Sequence, residues 1–229
     1  MDQTKIWAHF QNDEEAENVF NNALPRYRFI ARQISSGMQV LNIGVGRGGL
    51  EAIMLKKGAL VSSLDPGADA IVRIREKYGL GDRAKVGFSQ AIPFADGEFD
   101  VVVMSEVLEH LADDVLRESL AEVRRVLKPD GKFVGTVPAN ENLLENAVIC
   151  PHCGESFHRW GHLQTFSLIR LSELLTSEQL AVRRMETRAF PDWSRKGPYS
   201  LLKNCVRHVL GRAGSAIAVP HIYFEAGLH

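Results

Sequence analysis

The run Asn42-Ile43-Gly44-Val45-Gly46-Arg47-Gly48-Gly49 stands between a short apolar stretch and a mixed one. Glycines in such a turn let the backbone bend tightly and approach a ligand closely. A helix starting behind them would present unpaired N–H groups and the positive end of its dipole. Asp65 lies 21 residues beyond Gly44, at the end of the next apolar stretch. A carboxylate at that place can accept hydrogen bonds from both hydroxyls of a ribose. Glycine turn and acid together describe a site for a nucleoside-containing cofactor. The bland alternative is a turn needed only for packing, with Asp65 capping the helix that follows. Gly44, Gly46 and Gly49 also satisfy G-x-G-x-x-G, so the turn alone does not separate a nicotinamide dinucleotide from other nucleosides.

A second group of residues could hold a metal. Cys150-Pro151-His152-Cys153-Gly154 sets two thiols beside a turn glycine, a shape that grips one tetrahedral ion. His158 and His162 follow, giving C-x2-C-x4-H-x3-H. The expectation is one structural zinc on Cys150, Cys153, His158 and His162, closed by four protein ligands and so not catalytic. His152 is a poorer ligand inside the thiolate turn, and Cys205 is an alternative fourth ligand. The competing reading is a pair of reduced cysteines in a loop, with His158 and His162 serving substrate. The chain has 3 cysteines, and an odd number argues against a disulfide framework.

The elements that must carry these residues alternate in type. Residues 1–37 read as helical, with a helix over 23–34 stopped by Ser35, Ser36 and Gly37. Strands are expected over 38–43, 60–64, 85–88, 99–104 and 132–137. Helices are expected over 50–57, 69–78 and 114–127, the last stopped by Pro129 and Gly131. Strands and helices in this order imply βαβ units and a parallel sheet, with right-handed crossovers placing the helices. The near-continuous apolar strands fit a sheet covered on both faces. Residues 182–190 and 221–226 are expected as two last strands. Residues 138–167 show no clear period.

The bulk properties exclude several classes. The 229 residues are 45% hydrophobic and 24% charged, ordinary for one globular domain with an embellishment. Net charge is −1, so no overall field favours nucleic acid, and none is expected as a partner. No apolar run approaches the roughly 18 residues of a membrane span. The first residues lack the charged start and apolar stretch of a signal peptide, which makes a cytoplasmic protein the expectation.

With these motifs in place, the sequence resembles the class I S-adenosylmethionine (SAM)-dependent methyltransferases, in the broad group that includes the ubiquinone-biosynthesis type. The resemblance runs over roughly residues 37–180. It is carried by VLNIGVGRGG, SLDP at 63–66, AIPFADGEFDVVV at 91–103, SEVLEHL at 105–111, EVRRVLKPDGKFVGTVP at 122–138 and GHLQTFS at 161–167. It implies a Rossmann-like α/β fold, a seven-stranded mostly parallel sheet with helices on both faces and an antiparallel last strand. It also implies SAM as cofactor across the carboxyl ends of the strands. Gly44, Gly46 and Gly48 would line its methionine and ribose portion, and Asp65 would hold the ribose. Residues 88–92 would flank adenine, and Ser105 would face the cofactor. The family has an acid at the position of Asn42, which can accept one hydrogen bond but brings no charge. It has another at the position of Phe88, which can cover a ring but not accept from its amino group. Ser89, Gln90 and Ala91 are then the candidates beside adenine. Asp130, in place of a common glycine, tolerates the turn before the fifth strand.

Methyl transfer from SAM is an in-line displacement, and much of its acceleration can come from alignment. A hydroxyl or amine acceptor also gives up a proton to a base. His110 is the candidate catalytic base, since imidazole titrates near neutrality. The alternative is that Glu106, Glu109 and His110 only orient the loop. His162 is a second candidate. The acceptor expected is a small-molecule, glycan-like or lipid-linked intermediate. Residues 1–36 would form a helical cap, with Trp7, Phe10 and Tyr27 as candidate lid aromatics, and residues 37–229 the methyltransferase domain. Two insertions are expected in it, a zinc-knuckle or acceptor insertion at 139–167 and a basic helical insertion at 194–218. In the latter, Leu201, Leu202, Cys205, Val206, Val209 and Leu210 recur at helical spacing beside Arg195, Lys196, Lys203, Arg207 and Arg212. A peripheral membrane contact through 195–212 and a helix covering the sheet edge are both open. Two other functions compete. A NAD-type oxidoreductase calls for a catalytic Tyr-Lys pair that the sequence does not display. The other is an inactive SAM-binding relative, to which Asn42 and Phe88 point.

Overall fold

A computed structural model describes residues 4–12, 23–193 and 197–228. Helices α1 (Thr4–Asn12) and α2 (Leu24–Ile30) precede strand β1 (Gln39–Ile43). Then come α3 (Gly49–Lys56), β2 (Leu60–Asp65), α4 (Ala68–Tyr78), β3 (Ala84–Val86), β4 (Phe99–Ser105), α5 (Asp113–Val126) and β5 (Leu127–Pro138). The second half adds β6 (Ala147–Ile149), β7 (Ser156–His158), α6 (Leu168–Ser177), β8 (Ala181–Arg188), α7 (Pro198–Arg212) and β9 (His221–Gly227). Part of the helical segment expected before residue 37 lies outside the described residues.

The main sheet has 7 strands in the order β3-β2-β1-β4-β5-β9-β8. β1 to β5 pair in parallel, and β9 runs antiparallel to both β5 and β8. The expected α/β architecture is therefore the observed one. Successive strand residues divide between two cores, as a period of two requires. Leu41, Ile43, Val102, Met104, Phe133 and Val137 pack beneath α5 and α6, against Leu116, Leu120, Val123, Leu171 and Leu175. Val40, Val61, Val101, Val103 and Val134 pack on the other face, against Phe29, Ile30, Leu50 and Met54. Each fully buried side chain of this kind contributes about 1.5–3 kcal/mol.

Helix α5 shows why these segments are helical. Leu116, Leu120, Val123 and Val126 recur on one face. Asp113 and Asp114 open the helix and Arg124 and Arg125 close it, each sign opposing the helix dipole.

Build-up from β1 proceeds outward through β2 and β3, then returns to β4 on the other side of β1. The loops that leave β1 and β4 therefore part in opposite directions at the carboxyl end of the sheet. A crevice at such a switch point is where open α/β sheets bind ligands.

Two segments differ from expectation. The turn foreseen at 129–131 is a bulge inside β5. Pairing jumps from Phe99↔Leu127 to Val101↔Lys132, so the strand starts earlier than its apolar run. The aperiodic stretch at 138–167 contains the β6–β7 hairpin. Strands of 3 residues are too short to show alternation. No helix among the described residues is long and apolar enough to cross a membrane.

Candidate active site

Gly44, Gly46 and Gly48 all have left-handed backbone, with φ of 84°, 51° and 78°. A Cβ on Gly44 would lie 2.7 Å from Val107 Cγ2, and one on Gly48 would lie 2.8 Å from Tyr78 Cε2. Tyr78 Oη donates to the Gly48 carbonyl at 2.8 Å. The turn is thus clamped in a shape that side chains would destroy. No side chain caps α3 behind it, which leaves the helix's first N–H groups for a ligand.

Asp65 is buried at the tip of β2. Its Oδ2 accepts Val45 N–H from the glycine turn at 2.9 Å, and its Oδ1 accepts Gly67 N–H at 2.8 Å. Gln11 Nε2 of α1 donates to Oδ2 at 3.2 Å. Burial pushes the Asp65 carboxyl up, while the bonds from Gly67 and Val45 pull it back. The acid is fastened to the turn that it serves, and the donor set fits a nucleoside: a shaped glycine cradle, a helix start and a carboxylate.

The other residues expected on the cofactor side are placed differently. Asn42 is buried, and its Nδ2 donates to Glu51 Oε1 at 2.7 Å. Ser63 Oγ donates to the same oxygen at 3.1 Å. Burial raises Glu51 to about 7. The carboxyl that the first block lacks at Asn42 is thus supplied from α3, a partnership between positions 42 and 51 that only packing reveals. The Ser89 hydroxyl shares a 2.7 Å hydrogen bond with Ser119 Oγ on α5, so the side chain itself faces the core. Ala91 and Phe88 are exposed and Gln90 half-buried, which leaves the Phe88 ring free to cover a base.

At the end of β4, Ser105 Oγ accepts Arg26 Nε at 3.1 Å and shares a hydrogen bond with Thr136 Oγ1 at 3.0 Å. Glu106 follows with φ of 58°, a strained backbone for a side chain of its size. Its carboxylate lies 3.2 Å from His221 Nε2 and 3.6 Å from Arg26 Nη1. Burial pushes Glu106 up, but the charges of Arg26 and His221 overcome it and hold the carboxyl well below the usual range. Glu109 is fully buried, and neither of its side-chain oxygens has a hydrogen-bond partner. Burial and then the neighbouring Glu106 charge raise its pKa well above the ordinary carboxyl value, which favours the neutral acid.

The histidines gather beyond this point. The His110 and His162 rings meet edge to face with centroids 4.8 Å apart. His110 Nδ1 lies 3.2 Å from the Gly161 carbonyl, and Trp7 Nε1 approaches it at 3.4 Å. Burial, then the neighbouring His162, lowers His110 to about 4, which makes it a neutral but weak base. His162 Nδ1 lies 2.5 Å from Glu141 Oε2. His158 Nδ1 accepts the His162 backbone N–H at 3.1 Å, which puts the His158 proton on Nε2, 3.5 Å from Glu141 Oε1. With Glu141 ionised, this contact places a His162 ring proton on Nδ1. Glu141, Arg26 and His221 escaped the sequence reading: Glu141 stands in the aperiodic stretch just after the 122–138 block, and Arg26 and His221 lie outside the motif blocks, so no local pattern marked them.

The expected four-ligand zinc centre on Cys150, Cys153, His158 and His162 is not assembled in this arrangement. His158 and His162 stack at 4.5 Å and turn to Glu141. Cys150 and Cys153 stand at the tip of the β6–β7 hairpin, closed by the bond from Gly154 N–H to the Cys150 carbonyl at 2.9 Å. Among the described residues, no group of three or more potential ligands within 4.8 Å of one another includes a cysteine. The reason is geometric: His158 pairs with Ala147 at the base of the hairpin, while the cysteines lie at its tip.

Helix α1 spans both halves of the crevice. Gln11 sits on Asp65, Trp7 meets His110 edge to face at 5.6 Å, and Phe10 lies 4.9 Å from Trp160. Tyr27, the third aromatic expected in a lid, instead backs the glycine turn, with Cε2 3.1 Å from where a Gly49 Cβ would stand.

Comparison with known proteins agrees with this architecture. Residues 41–135 match the family described as Methyltransferase domain. The ubiquinone biosynthesis O-methyltransferase of Pseudomonas aeruginosa is 33% identical over 119 residues, 50% of this chain and 50% of that protein. The chain spans about half the length of the curated relatives it matches. Among solved structures, the fold is similar to one from a complex between the Haloferax volcanii Trm112 methyltransferase activator and a methyltransferase. The TM-score is 0.71, with 19% identity and 98% of each chain covered. It is also similar to the Burkholderia thailandensis 1,6-didemethyltoxoflavin-N1-methyltransferase bound to S-adenosylhomocysteine. There the TM-score is 0.63, with 17% identity, 93% of this chain covered and 81% of that one. The glycine turn and the acid at the end of β2 both lie in the matched segment; residues 41–135 are thus similar to the methyltransferase domain family, and the fold as a whole is that of the SAM-dependent methyltransferase structures.

Proposed function

We propose that the protein transfers the methyl group of SAM to a hydroxyl or amine of a small-molecule, sugar or lipid-linked acceptor. One observation carries this reading. The clamped glycine turn with Asp65 and the His110–His162–Glu141 cluster stand at the same end of the sheet, bridged by α1. Bound SAM supplies an electrophilic methyl on a positively charged sulfur. Asp65 holds the ribose, Gly44, Gly46 and Gly48 give backbone access, and Phe88 covers the base. Ser105, fixed by Arg26 and Thr136, shapes the floor after β4.

On the acceptor side, His162 is the better base. Glu141 orients it, whereas burial weakens His110. His110 and the buried Glu109 then border the acceptor, and Trp7 and Phe10 keep water out. The cysteine pair has no part in the transfer.

Incubating the protein with pooled metabolites, sugars and lipid-linked intermediates and methyl-labelled SAM tests the reading by mass shift. A labelled product that disappears in Asp65→Ala is expected. No product from any pool, with S-adenosylhomocysteine still binding tightly, would favour an inactive relative. Binding of NAD without S-adenosylhomocysteine would sink the proposal.

A further inference from the structure

Helix α7 is turned opposite to what its sequence suggests. Its inward residues are Asn204 and Gly211. Asn204 Nδ2 donates to the Asp192 carbonyl at 2.7 Å. Gly211 lies so close to Ala189 that a Cβ would come within 2.4 Å of its backbone nitrogen. The large apolar side chains look outward: Tyr199 is 81% exposed, Leu202 65%, Val206 49% and Val209 64%. Their spacing is that of one helix face. Ile217, 86% exposed, and Val219, 61% exposed, follow in the turn after the helix. Leaving so many apolar groups in water on one element marks an interaction surface.

Charge decides what covers it. Lys203 and Arg207 are exposed on the same helix, and no acidic residue occurs between Trp193 and Phe224. Arg212 leans 3.8 Å from Glu186 on β8 and is partly neutralised. A second copy of the chain would set these cations against their own counterparts. An anionic sheet of headgroups would instead satisfy them while taking up the apolar stripe. Lysine and arginine stems can lie along the apolar surface with their charges in the headgroup layer. Tyr199 and half-exposed Trp193 are residue types that settle at a membrane–water boundary. Arg195 and Lys196, which would add charge, lie outside the described residues.

We propose that α7 and the turn after it dock the protein, in the plane of the surface, on an anionic membrane. This rests on the helix face alone and stands apart from the methyl-transfer reading. The test is co-sedimentation of the full chain with vesicles of phosphatidylcholine, with and without phosphatidylglycerol. Binding at least ten-fold tighter to the anionic vesicles, and weakened by salt, is expected. Leu202→Ser with Val206→Asp should abolish it. Lys203→Gln with Arg207→Gln should weaken it roughly five-fold per charge removed. These positions lie outside the candidate active site, so an unchanged thermal shift with S-adenosylhomocysteine confirms that each variant is folded. Absence of binding to the anionic vesicles would overturn the proposal, as would equal binding to both vesicle types. So would a solution dimer that Val206→Asp dissociates, since the face would then belong to a second copy.

Discussion

At the residue scale, Asp65 fastens the end of β2 to the glycine turn, and on the proposed function it also binds the cofactor. Asp65→Ala is expected to weaken S-adenosylhomocysteine binding by about 1.5–3 kcal/mol, the worth of hydrogen bonds to a charged group. Calorimetry on a folded mutant showing unchanged affinity would remove Asp65 from the site. Glu51 offers a pH test. Its carboxyl titrates near 7 in the fold, above its ordinary 4.5. A raised carboxyl pKa contributes stability that is full below 4.5 and is lost as pH rises through about 7. Glu51→Gln keeps an oxygen for Asn42 and Ser63 without the charge. Its melting temperature should exceed the parent's at pH 8.5 and match it at pH 4.5; equal melting at pH 8.5 would refute the burial argument. His110 has the opposite sign. Its pKa falls to about 4, so its burial destabilises the fold as pH drops from about 6.5 through 4, a loss that His110→Gln should blunt.

At the element scale, turns and close approaches decide more than helix or strand propensity. Gly48 caps α3 at positive φ with Tyr78 against it, so Gly48→Ala faces both strain and overlap. Overpacking of this kind costs about 1–3 kcal/mol. The substitution is expected to cut cofactor affinity more than it lowers the melting temperature, because the distortion sits in the cradle. A proportional loss of both would place its effect in packing alone. Gly135 in β5 is a purely structural counterpart: a Cβ would come within 2.4 Å of the Met104 carbonyl oxygen and of Phe224 Cζ. Gly135→Ala should destabilise the sheet in denaturant titration and leave the affinity of the surviving folded fraction intact. The alternation of apolar strands with amphipathic helices made the main elements readable from residue types, whereas the β6–β7 hairpin, with 3-residue strands, was not.

At the scale of the whole molecule, α1 is a strap over a site that the sheet builds without it. Among the described residues, the fully buried side chains of the sheet's two cores begin at Phe29, with Tyr27 packed against them. Removing residues 1–22 should therefore leave cooperative unfolding in place and shift the melting temperature by only a few degrees. It should weaken S-adenosylhomocysteine binding and open His110 to solvent, through loss of Gln11 and Trp7. Loss of cooperative unfolding in the truncated protein would show that α1 belongs to the core. On the opposite account, in which α1 only decorates the surface, affinity would not change.

The sequence by itself determined the α/β class, the glycine turn, the acid at the end of β2 and the neighbourhood of His110, because each is a local pattern of residue type and spacing. Only the tertiary structure decided which distant groups meet. It supplied Glu51 to Asn42, turned Ser89 toward Ser119 and gave Glu141 to His162. It also separated the cysteines from the histidines, since a hairpin carries its tip away from its base whatever the spacing along the chain suggests. The inversion of α7 has the same origin. Helical periodicity tells which residues share a face, but the direction of that face depends on where Gly211 lets the helix approach Ala189. That is a property of the packed sheet edge, not of the helix.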